Sequence, residues 1–313
     1  MRVLITGSSG QIGTNLGLRC LARGDNVVGI DHRENTWSNK IDTLLLDLRT
    51  AFSDKKFFQQ GPPDVVIHLA AHAKVHELVI HPTRALENIV ITSNVLEYCR
   101  VHNVPIVFSS SREVYGDVLR ETTGEDDADY TQVTSTYTAS KLSAEALIYS
   151  YHKCYDLPYI IFRLSNVYGR YDNDLKRMER VIPLFIDRIE RDLPITVFGH
   201  DKILDFTYID DCVEGILRGI DRLHNGHISK AVMNLAYGKG HSLVTLAELI
   251  GESLGKTPIM DIQKSQTGEI NRYVSNISRA RELLGFVPKT ELSNGIKQMI
   301  TDKKVQELNL KRA

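Results

Sequence analysis

Short apolar runs alternate with longer amphipathic stretches through the first half of the chain. The runs predict six strands, at Arg2–Thr6, Asn26–Ile30, Thr43–Leu46, Asp64–Leu69, Pro105–Ser109 and Tyr159–Arg163. The stretches between them predict helices at Ile12–Arg23, Arg84–His102 and Ser135–Tyr155. The strands are apolar throughout, as expected where both faces of a sheet are covered. Repeated strand–helix–strand order implies right-handed crossovers, so we expect an α/β fold with a doubly wound parallel sheet.

The pattern changes after residue 165, where a polar, turn-rich stretch covers Tyr168–Lys176. Beyond it the periodicity predicts helices at Arg180–Glu190, Asp210–Leu223, Ser242–Gly255 and Ser278–Leu284, and strands at Pro194–Gly199 and Ala231–Leu235. The charged end Lys303–Ala313 is predicted to be a frayed tail. We expect residues 1–165 to form one domain that also takes back parts of about 200–235, and 166–313 to form mainly a smaller α/β lobe.

Composition narrows the class of partner. The chain has 313 residues, with 38 Lys and Arg against 39 Asp and Glu. A net charge of −1 excludes a broad positively charged surface that would bind nucleic acid or anionic lipid. The four cysteines show no CxxC spacing, which favours reduced thiols over a disulfide or zinc framework. No apolar run approaches the ~18 residues of a membrane helix, and no signal peptide precedes the first strand, so we expect a cytoplasmic protein.

The first predicted strand leads into a GxxGxxG sequence at a strand-to-helix turn, which is typical of dinucleotide binding. Gly7 allows the tight turn, Gly10 lets the backbone approach a pyrophosphate, and Gly13 lets the helix pack against the strand. Gln11 and Ile12 lie within the same turn. The helix N-terminus then faces the anion.

Acidic side chains after the next strands indicate which dinucleotide is bound. Asp31 can accept both ribose hydroxyl protons and would repel a 2′-phosphate, which favours NAD over NADP. Arg33 could partly offset this preference. Asp47, followed by Leu48, is a candidate for the adenine amino group, and an ordinary capping Asp is an equally good interpretation.

Candidate chemistry lies on the third predicted helix and at the end of the fifth strand. Tyr137 and Lys141 are four residues apart on one helical face, and a nearby ammonium should lower the pKa of the phenol. The resulting phenolate could take a proton from an alcohol while hydride leaves the carbon. Ser109–Ser111 end the fifth strand, at the carboxyl edge where open α/β sheets bind ligands.

Together these residues resemble the extended short-chain dehydrogenase/reductase superfamily, in its nucleotide-sugar epimerase/dehydratase branch. The resemblance covers most of the chain and rests on the order and spacing of its motifs. The motifs are TGxxGxxG from Thr6, Asp31, HLAA from His68, SSSxxVYG from Ser109, YxxxK from Tyr137, RLSNVYG from Arg163 and DFTYIDD from Asp205. It implies a Rossmann fold that binds NAD, with a C-terminal lobe that binds a nucleoside diphosphate sugar.

The resemblance also implies roles for individual residues. Tyr137 would be the catalytic base, Lys141 its electrostatic partner and ribose ligand, and Ser111 a hydroxyl that aids proton transfer. Leu69, Ala70, Ala71, Asn88 and Ser109 would line or support the cofactor. Asn166 would contact the phosphates of the sugar nucleotide, while Val181–Phe185 and Thr196–Phe198, including Val197, would frame its base.

Two departures concern the diphosphate. The family usually carries an arginine just before the Asp-Phe pair and a second one later in the chain, and here these positions are Leu204 and Gln266. Losing both removes strong bidentate donors. The candidate substitutes are Lys202, Arg170, Arg177, Arg180 and Arg272.

The residues after Ser111 bear on the outcome of the reaction. Dehydratases of the family typically carry Asp-Glu there, and this chain has Arg112 and Glu113. Arg112 cannot donate a proton as Asp does, so we favour a nucleotide-sugar 4-epimerase that oxidises C4 transiently. The alternative is a dehydratase, decarboxylase or C5 epimerase in which Glu113 acts at C5. A structural Arg112–Glu113 pair on the surface or in a loop is also compatible with the sequence.

Other features have simpler interpretations. His68, His72, His76 and His81 have spacings that could suggest metal ligands, but we expect loop histidines around the cofactor and no metal, with His72 or His76 able to reach substrate. The predicted helices Arg84–His102 and Ser135–Tyr155 match those that often pair across a two-fold axis in the superfamily, which suggests a homodimer. A non-catalytic dinucleotide sensor is disfavoured because it needs no activated phenol.

Overall fold

A central parallel sheet organises the molecule. A computed structural model of the protein describes residues 1–50, 61–117, 120–172, 180–265 and 270–310, with side chains as far as Val305. Seven strands form the sheet in the order β10-β6-β5-β4-β1-β2-β3, all parallel, with bounds β1 Arg2–Thr6, β2 Asn26–Asp31, β3 Asp42–Leu45, β4 Val65–His68, β5 Ile106–Ser111, β6 Tyr159–Leu164 and β10 Lys230–Leu235. The doubly wound parallel sheet expected from the sequence is therefore confirmed.

Smaller sheets build the second part of the molecule. β9 (Ile203–Tyr208) pairs with β7 (Asn166–Tyr168), β11 (Gly240–Ser242) and β13 (Arg272–Tyr273). β8 (Ile195–Phe198) pairs with β12 (Met260–Gln263). β10 lies between β9 and β11 in sequence yet adds to the large sheet, so the chain returns to that sheet and then leaves it again.

Among the described residues, nine α-helices flank these sheets. They are α1 Gln11–Ala22, α2 Val75–Ile80, α3 Thr83–His102, α4 Thr136–Tyr155, α5 Val181–Glu190, α6 Ile209–His224, α7 Leu243–Leu254, α8 Ser278–Leu284 and α9 Leu292–Leu310. Every helix and strand predicted from the apolar pattern is present, with ends that shift by at most two residues. None of the described helices is both long and apolar enough to cross a membrane.

The predicted frayed tail is wrong over residues 303–310, because α9 continues through them. Leu292, Ile296, Met299 and Ile300 recur at helical spacing and are buried in the core, which anchors the helix. Lys303 Nζ also donates to Glu190 Oε2 at 2.5 Å. Residues 311–313 lie outside the described part of the chain.

Both faces of the large sheet are covered, which explains its unbroken apolar strands. Val3 and Ile5 of β1 face the core formed with α1 and α6, whereas Leu4 faces the core formed with α3 and α4. All three side chains are at most 2% exposed. Because β1, β4 and β5 are parallel neighbours, their carboxyl ends meet at one edge of the sheet.

The helix α1 approaches β1 unusually closely at Gly13. A Cβ atom there would lie 2.2 Å from Gly7 O and 2.8 Å from Ser8 Cα. Both contacts are to backbone, which has little freedom to move away. Gly7 itself has φ +73°, a conformation that side chains rarely adopt.

Gly13→Ala should therefore destabilise the protein, although alanine normally favours a helix over glycine by ~1 kcal/mol. We expect a loss of about 1–3 kcal/mol in the free energy of unfolding, from overpacking against fixed backbone. Urea unfolding measures it. Gly124→Ala is the control, because its Cβ would meet nothing closer than 3.7 Å. Equal stabilities of the two variants would contradict the close approach.

Candidate active site

The glycine-rich turn presents the N-terminus of α1 as an anion cradle. Gly10 is the N-cap residue of α1 and has no side chain to accept a hydrogen bond, so the first backbone N–H groups of the helix are left for another acceptor. A Cβ atom at Gly7 would lie 2.8 Å from Ala70 N, which brings the turn against the loop after β4. The buried Gln11 Nε2 has no hydrogen-bond partner among the described residues. This geometry fits a dinucleotide pyrophosphate.

Asp31 ends β2 beside this turn. Its two carboxylate oxygens accept hydrogen bonds from Ser9 N at 3.0 Å and Arg33 N at 3.2 Å. Oδ2 retains a second lone pair that could accept a ribose hydroxyl proton, whereas Oδ1 also lies 3.3 Å from His32 Nδ1. The Arg33 guanidinium donates to Ser9 O at 2.5 Å. The predicted ribose-binding carboxylate is thus fixed in orientation by backbone.

Asp47 behaves as the capping interpretation predicts. It precedes the 3₁₀ helix Leu48–Thr50 and accepts from Arg49 N at 2.9 Å. Its carboxylate also binds the Arg49 guanidinium, and these hydrogen bonds lower the pKa of Asp47. Leu48 is buried in the core.

His68 and Asn88 hold the strand end that carries Leu69, Ala70 and Ala71. His68 is buried, with Nδ1 2.7 Å from Thr6 Oγ1, and burial followed by the Lys141 charge lowers its pKa to about 3. The Asn88 side chain binds the His72 backbone: Asn88 Oδ1 accepts from His72 N at 2.7 Å, and Asn88 Nδ2 donates to His72 O at 3.1 Å. Asn88 Nδ2 also donates to Ser140 Oγ at 3.1 Å, which ties this loop to α4.

The first turns of α4 bring Tyr137 and Lys141 to the end of β5. Ser135 caps the helix by accepting from Thr138 N at 3.2 Å. Tyr137 is buried and its hydroxyl bonds to Ser111. Lys141 Nζ donates to Ser109 O at 2.7 Å. The structure therefore brings together the serine, tyrosine and lysine that the sequence proposed as a catalytic set.

The expected lowering of the Tyr137 pKa by Lys141 is wrong for the protein alone. Burial raises the pKa of Tyr137 to about 12, opposed by the hydrogen bond to Ser111. Burial also lowers the pKa of Lys141 to about 8. Both shifts oppose the charged forms, since the two groups lie in the same desolvated environment.

Arg112 and Glu113 form a buried ion pair beside this set, not a surface pair. Arg112 Nη2 lies 2.9 Å from Glu113 Oε1, and the side chains are 14% and 7% exposed. Glu113 N donates to Ser111 Oγ at 3.2 Å. The charge of Glu113 raises the pKa of Tyr137 and that of Arg112 lowers it, so both act on the phenol.

Arg180 binds the glycine-rich turn and acts electrostatically on Tyr137. Its Nη1 donates to Gln11 Oε1 at 2.8 Å and to Val167 O at 3.0 Å, and lies 3.3 Å from Asp172 Oδ1. Its charge lowers the pKa of Tyr137. Val181, the next residue, begins α5 and is half-buried.

Other predicted substrate residues are placed differently. The Val197 side chain is in the core, so Thr196 and Phe198 are the half-buried side chains of β8. Arg272 Nε donates to Arg120 O at 2.9 Å. Asn166 Nδ2 donates to Asp205 O at 2.9 Å, which uses part of its amide.

The cations proposed to replace the missing arginines also differ in placement. Leu204 is buried in the core, which agrees with its apolar character. Arg170 pairs with Asp210, and Lys202 is buried. Gln266 and Arg177 lie outside the described residues.

Sequence reasoning missed Asp172 and the support role of Asp205. Asp172 is buried against Arg180, and burial raises its pKa to about 6. Asp205 accepts from Tyr237 N, Gly238 N and Ser275 N at 2.8–3.2 Å, and burial raises its pKa to about 7. The Asp-Phe motif marked Asp205, but no sequence signal marked Asp172.

Among the described residues, no group of three His, Cys, Asp or Glu side chains is placed to hold a metal ion. His72 Nε2 lies 2.8 Å from Glu87 Oε2. His68 instead bonds to Thr6 Oγ1 at the end of β1.

Buried His68 should make stability depend on pH. Its pKa is about 3 in the folded protein and 6.5 when unfolded, so the unfolded chain binds the proton first and stability falls as pH falls below 6.5. We expect this group to remove about 2 kcal/mol between pH 7 and pH 5. Urea unfolding at both values should show a smaller loss in His68→Gln. The exposed His227→Gln is the control, and an unchanged pH dependence in His68→Gln would contradict the assignment.

Comparison with known proteins agrees with this geometry. The family model described as "NAD dependent epimerase/dehydratase family" matches residues 3–236. UDP-glucuronic acid decarboxylase 4 from Arabidopsis thaliana is 28% identical, covering 96% of this chain and 68% of the relative. UDP-glucose 4-epimerase from Thermotoga maritima, solved with UDP-glucose, is 25% identical, with a TM-score of 0.90 and coverage of 98% and 100%.

A further solved structure is UDP-glucuronic acid 4-epimerase from Bacillus cereus, in complex with UDP-glucuronic acid and NAD. It is 28% identical, with a TM-score of 0.86, and the match covers 98% of this chain and 100% of that one. The family model alone spans well over half of the sequence. The chain therefore belongs to the NAD-dependent epimerase/dehydratase family of enzymes.

Proposed function

We propose that the protein is a nucleotide-sugar 4-epimerase that acts on a uridine diphosphate sugar. The observation that carries the proposal is the contact of Tyr137 with Ser111 at the carboxyl edge of the sheet, with Lys141 one helical turn away. The nucleotide part is supported by relatives that act on UDP-glucose or UDP-glucuronic acid.

The glycine-rich turn and Asp31 would hold the cofactor. Gly7, Gly10 and Gly13 leave room for the pyrophosphate at the N-terminus of α1, and Gln11 Nε2 is an additional donor there. Asp31 would bind the adenosine ribose. Bound NAD supplies a hydride acceptor and a positive charge that favours a nearby phenolate.

Tyr137 would take the proton of the C4 hydroxyl, and Ser111 would hold that oxygen in place. The phenol must ionise first, and its pKa of about 12 shows how far desolvation opposes this. Lys141, fixed by Ser109 O, keeps a positive group close to the phenol and the cofactor ribose. In the return step Tyr137 gives the proton back to the C4 oxygen after the sugar ketone has presented its other face.

Arg180 is our candidate for the diphosphate cation. It lies between Gln11 of the glycine-rich turn and the catalytic tyrosine, where a substrate bound at Tyr137 would extend. A guanidinium is well suited to bidentate phosphate binding.

C5 chemistry through Glu113 is the second candidate. Glu113 is buried next to Ser111, and its Oε2 has no hydrogen-bond partner in the described residues. A carboxylate oxygen in that position could accept the C5 proton of a 4-keto sugar. The relative UDP-glucuronic acid decarboxylase 4 also keeps this alternative open.

We further propose that two copies pair through α3 and α4. Leu86 and Val90 lie one turn apart on α3 and are 62% and 44% exposed. The neighbouring outward positions of α4 include the small, exposed Ala139 and Ala146, which would let a partner helix approach closely.

Tyr137→Phe tests the epimerase proposal. We expect kcat to fall by about 10²–10⁴, since the base is removed, while NAD and sugar nucleotide still bind. NMR follows inversion at C4 of UDP-glucose, UDP-galactose and UDP-glucuronic acid in deuterated water. The control is Tyr130→Phe, because Tyr130 is 80% exposed.

Absence of C4 inversion with all three sugars would contradict the epimerase proposal. Deuterium at C5 of the product would favour the Glu113 alternative instead. A Tyr137→Phe variant that retains the wild-type rate would contradict the role of Tyr137.

Leu86→Lys tests the pairing of copies. A lysine there would be buried without a partner in the dimer, so we expect the dimer dissociation constant to rise at least about tenfold. Sedimentation equilibrium measures it. Val287→Lys is the control, since Val287 is also exposed but lies outside α3 and α4. A wild-type protein that is monomeric at micromolar concentration would contradict the proposal.

A further inference from the structure

Two buried charges of opposite sign lie directly beside the catalytic hydroxyls. Arg112 and Glu113 follow Ser111, pair at 2.9 Å, and both act electrostatically on Tyr137. The backbone N–H of Glu113 donates to Ser111 Oγ. A substituent on the neighbouring ring carbon that faces this pair would therefore come close to it.

The second lobe keeps the pair in position. The Arg112 guanidinium lies over the Tyr273 ring at 5.9 Å, and Tyr273 stacks on Tyr115 at 5.7 Å. Both rings are buried. A cation–π contact and an ion pair together restrict the long Arg112 side chain to one orientation.

Arg112 and Glu113 each have one polar side-chain atom that the ion pair does not use. Arg112 Nη1 and Glu113 Oε2 are buried and have no hydrogen-bond partner among the described residues. An unpaired buried donor or acceptor costs about 1–3 kcal/mol. Such groups call for a specific explanation, and a ligand that satisfies them is one. The pair thus offers one N–H donor and one carboxylate acceptor.

We propose that Arg112 and Glu113 select a neutral hydroxyl on the substituent next to the reacting carbon, and disfavour a carboxylate there. The inference rests on the proposed epimerase function and specifies its substrate. A hydroxyl accepts from Arg112 Nη1 and donates to Glu113 Oε2 at the same time. A carboxylate could only accept, and its charge would meet that of Glu113.

The pair therefore makes the substrate a nucleotide-linked hexose with a C6 alcohol, not a nucleotide-linked uronic acid. The net charge of the Arg112–Glu113 pair explains this discrimination between an alcohol and a carboxylate. Arg112 and Glu113 cancel, so no excess positive charge is left to balance a substrate carboxylate, while both leftover hydrogen-bonding atoms match an alcohol.

The experiment compares kcat/KM for C4 inversion of UDP-glucose and UDP-glucuronic acid. We expect the wild type to prefer UDP-glucose at least about tenfold, and Glu113→Gln to reduce that preference at least about tenfold by removing the charge. The control, Glu214→Gln, removes a carboxylate that pairs with Arg218 on the surface and should leave both values unchanged. Calorimetric titration of NAD-loaded Tyr137→Phe with each sugar shows whether the preference arises in binding.

The outcomes separate the two proposals. If the wild type inverts both sugars equally, or UDP-glucuronic acid faster, the pair does not select and only this inference is overturned. If it inverts neither of these sugars nor UDP-galactose, the epimerase function itself fails. Should Glu113→Gln unfold, Arg112→Gln leaves the Glu113 charge unpaired and must increase the preference for UDP-glucose. An unchanged ratio in a folded variant of either residue also overturns the inference.

Discussion

Joint burial of Tyr137 and Lys141 against the end of β5 is the constraint on which the site depends. The hydrogen bond from Lys141 Nζ to Ser109 O fixes α4 relative to the sheet, and the contact with Ser111 fixes the phenol. The same burial raises the pKa of the phenol and lowers that of the ammonium. In the proposed function Tyr137 would thus be positioned before it ionises, and the positive charge of the bound cofactor would favour the phenolate.

Close approach of backbone makes this arrangement possible. Gly7 and Gly13 bring α1 and the loop after β4 together, and Asn88 ties that loop to Ser140 on α4. The glycine-rich turn, the loop after β4 and the helix α4 are thus joined by short contacts between buried groups. A shift of the turn would be transmitted to the helix that carries Tyr137, because buried packing has little free volume to absorb it.

Local physics explains which features the sequence could predict. The apolar runs predicted all seven strands of the large sheet, since both faces of β1 are buried, and glycine spacing predicted the tight turn. The short strands β7, β11, β12 and β13 were missed because two to four residues cannot show a period. β9 has six residues and was also missed. The tail from Lys303 was mispredicted because its charged residues show no apolar period, and the four apolar residues that anchor α9 lie before it. The pKa of Tyr137 and the placement of Asp172 depend on burial by distant segments, which spacing does not encode.

Charge at the site is balanced locally, which the near-zero net charge of the chain did not reveal. Arg112 pairs with Glu113, and Arg180 lies 3.3 Å from the buried Asp172, so charges of both signs surround the phenol. Leu204, in the core, adds no cation to this set. A diphosphate would bring negative charge to Arg180 and weaken its effect on Tyr137, whereas the nicotinamide ring of oxidised NAD would bring positive charge near the phenol. In the proposed function the ionisation of Tyr137 would therefore depend on what is bound, and the proposed substrate discrimination would depend on hydrogen-bonding atoms.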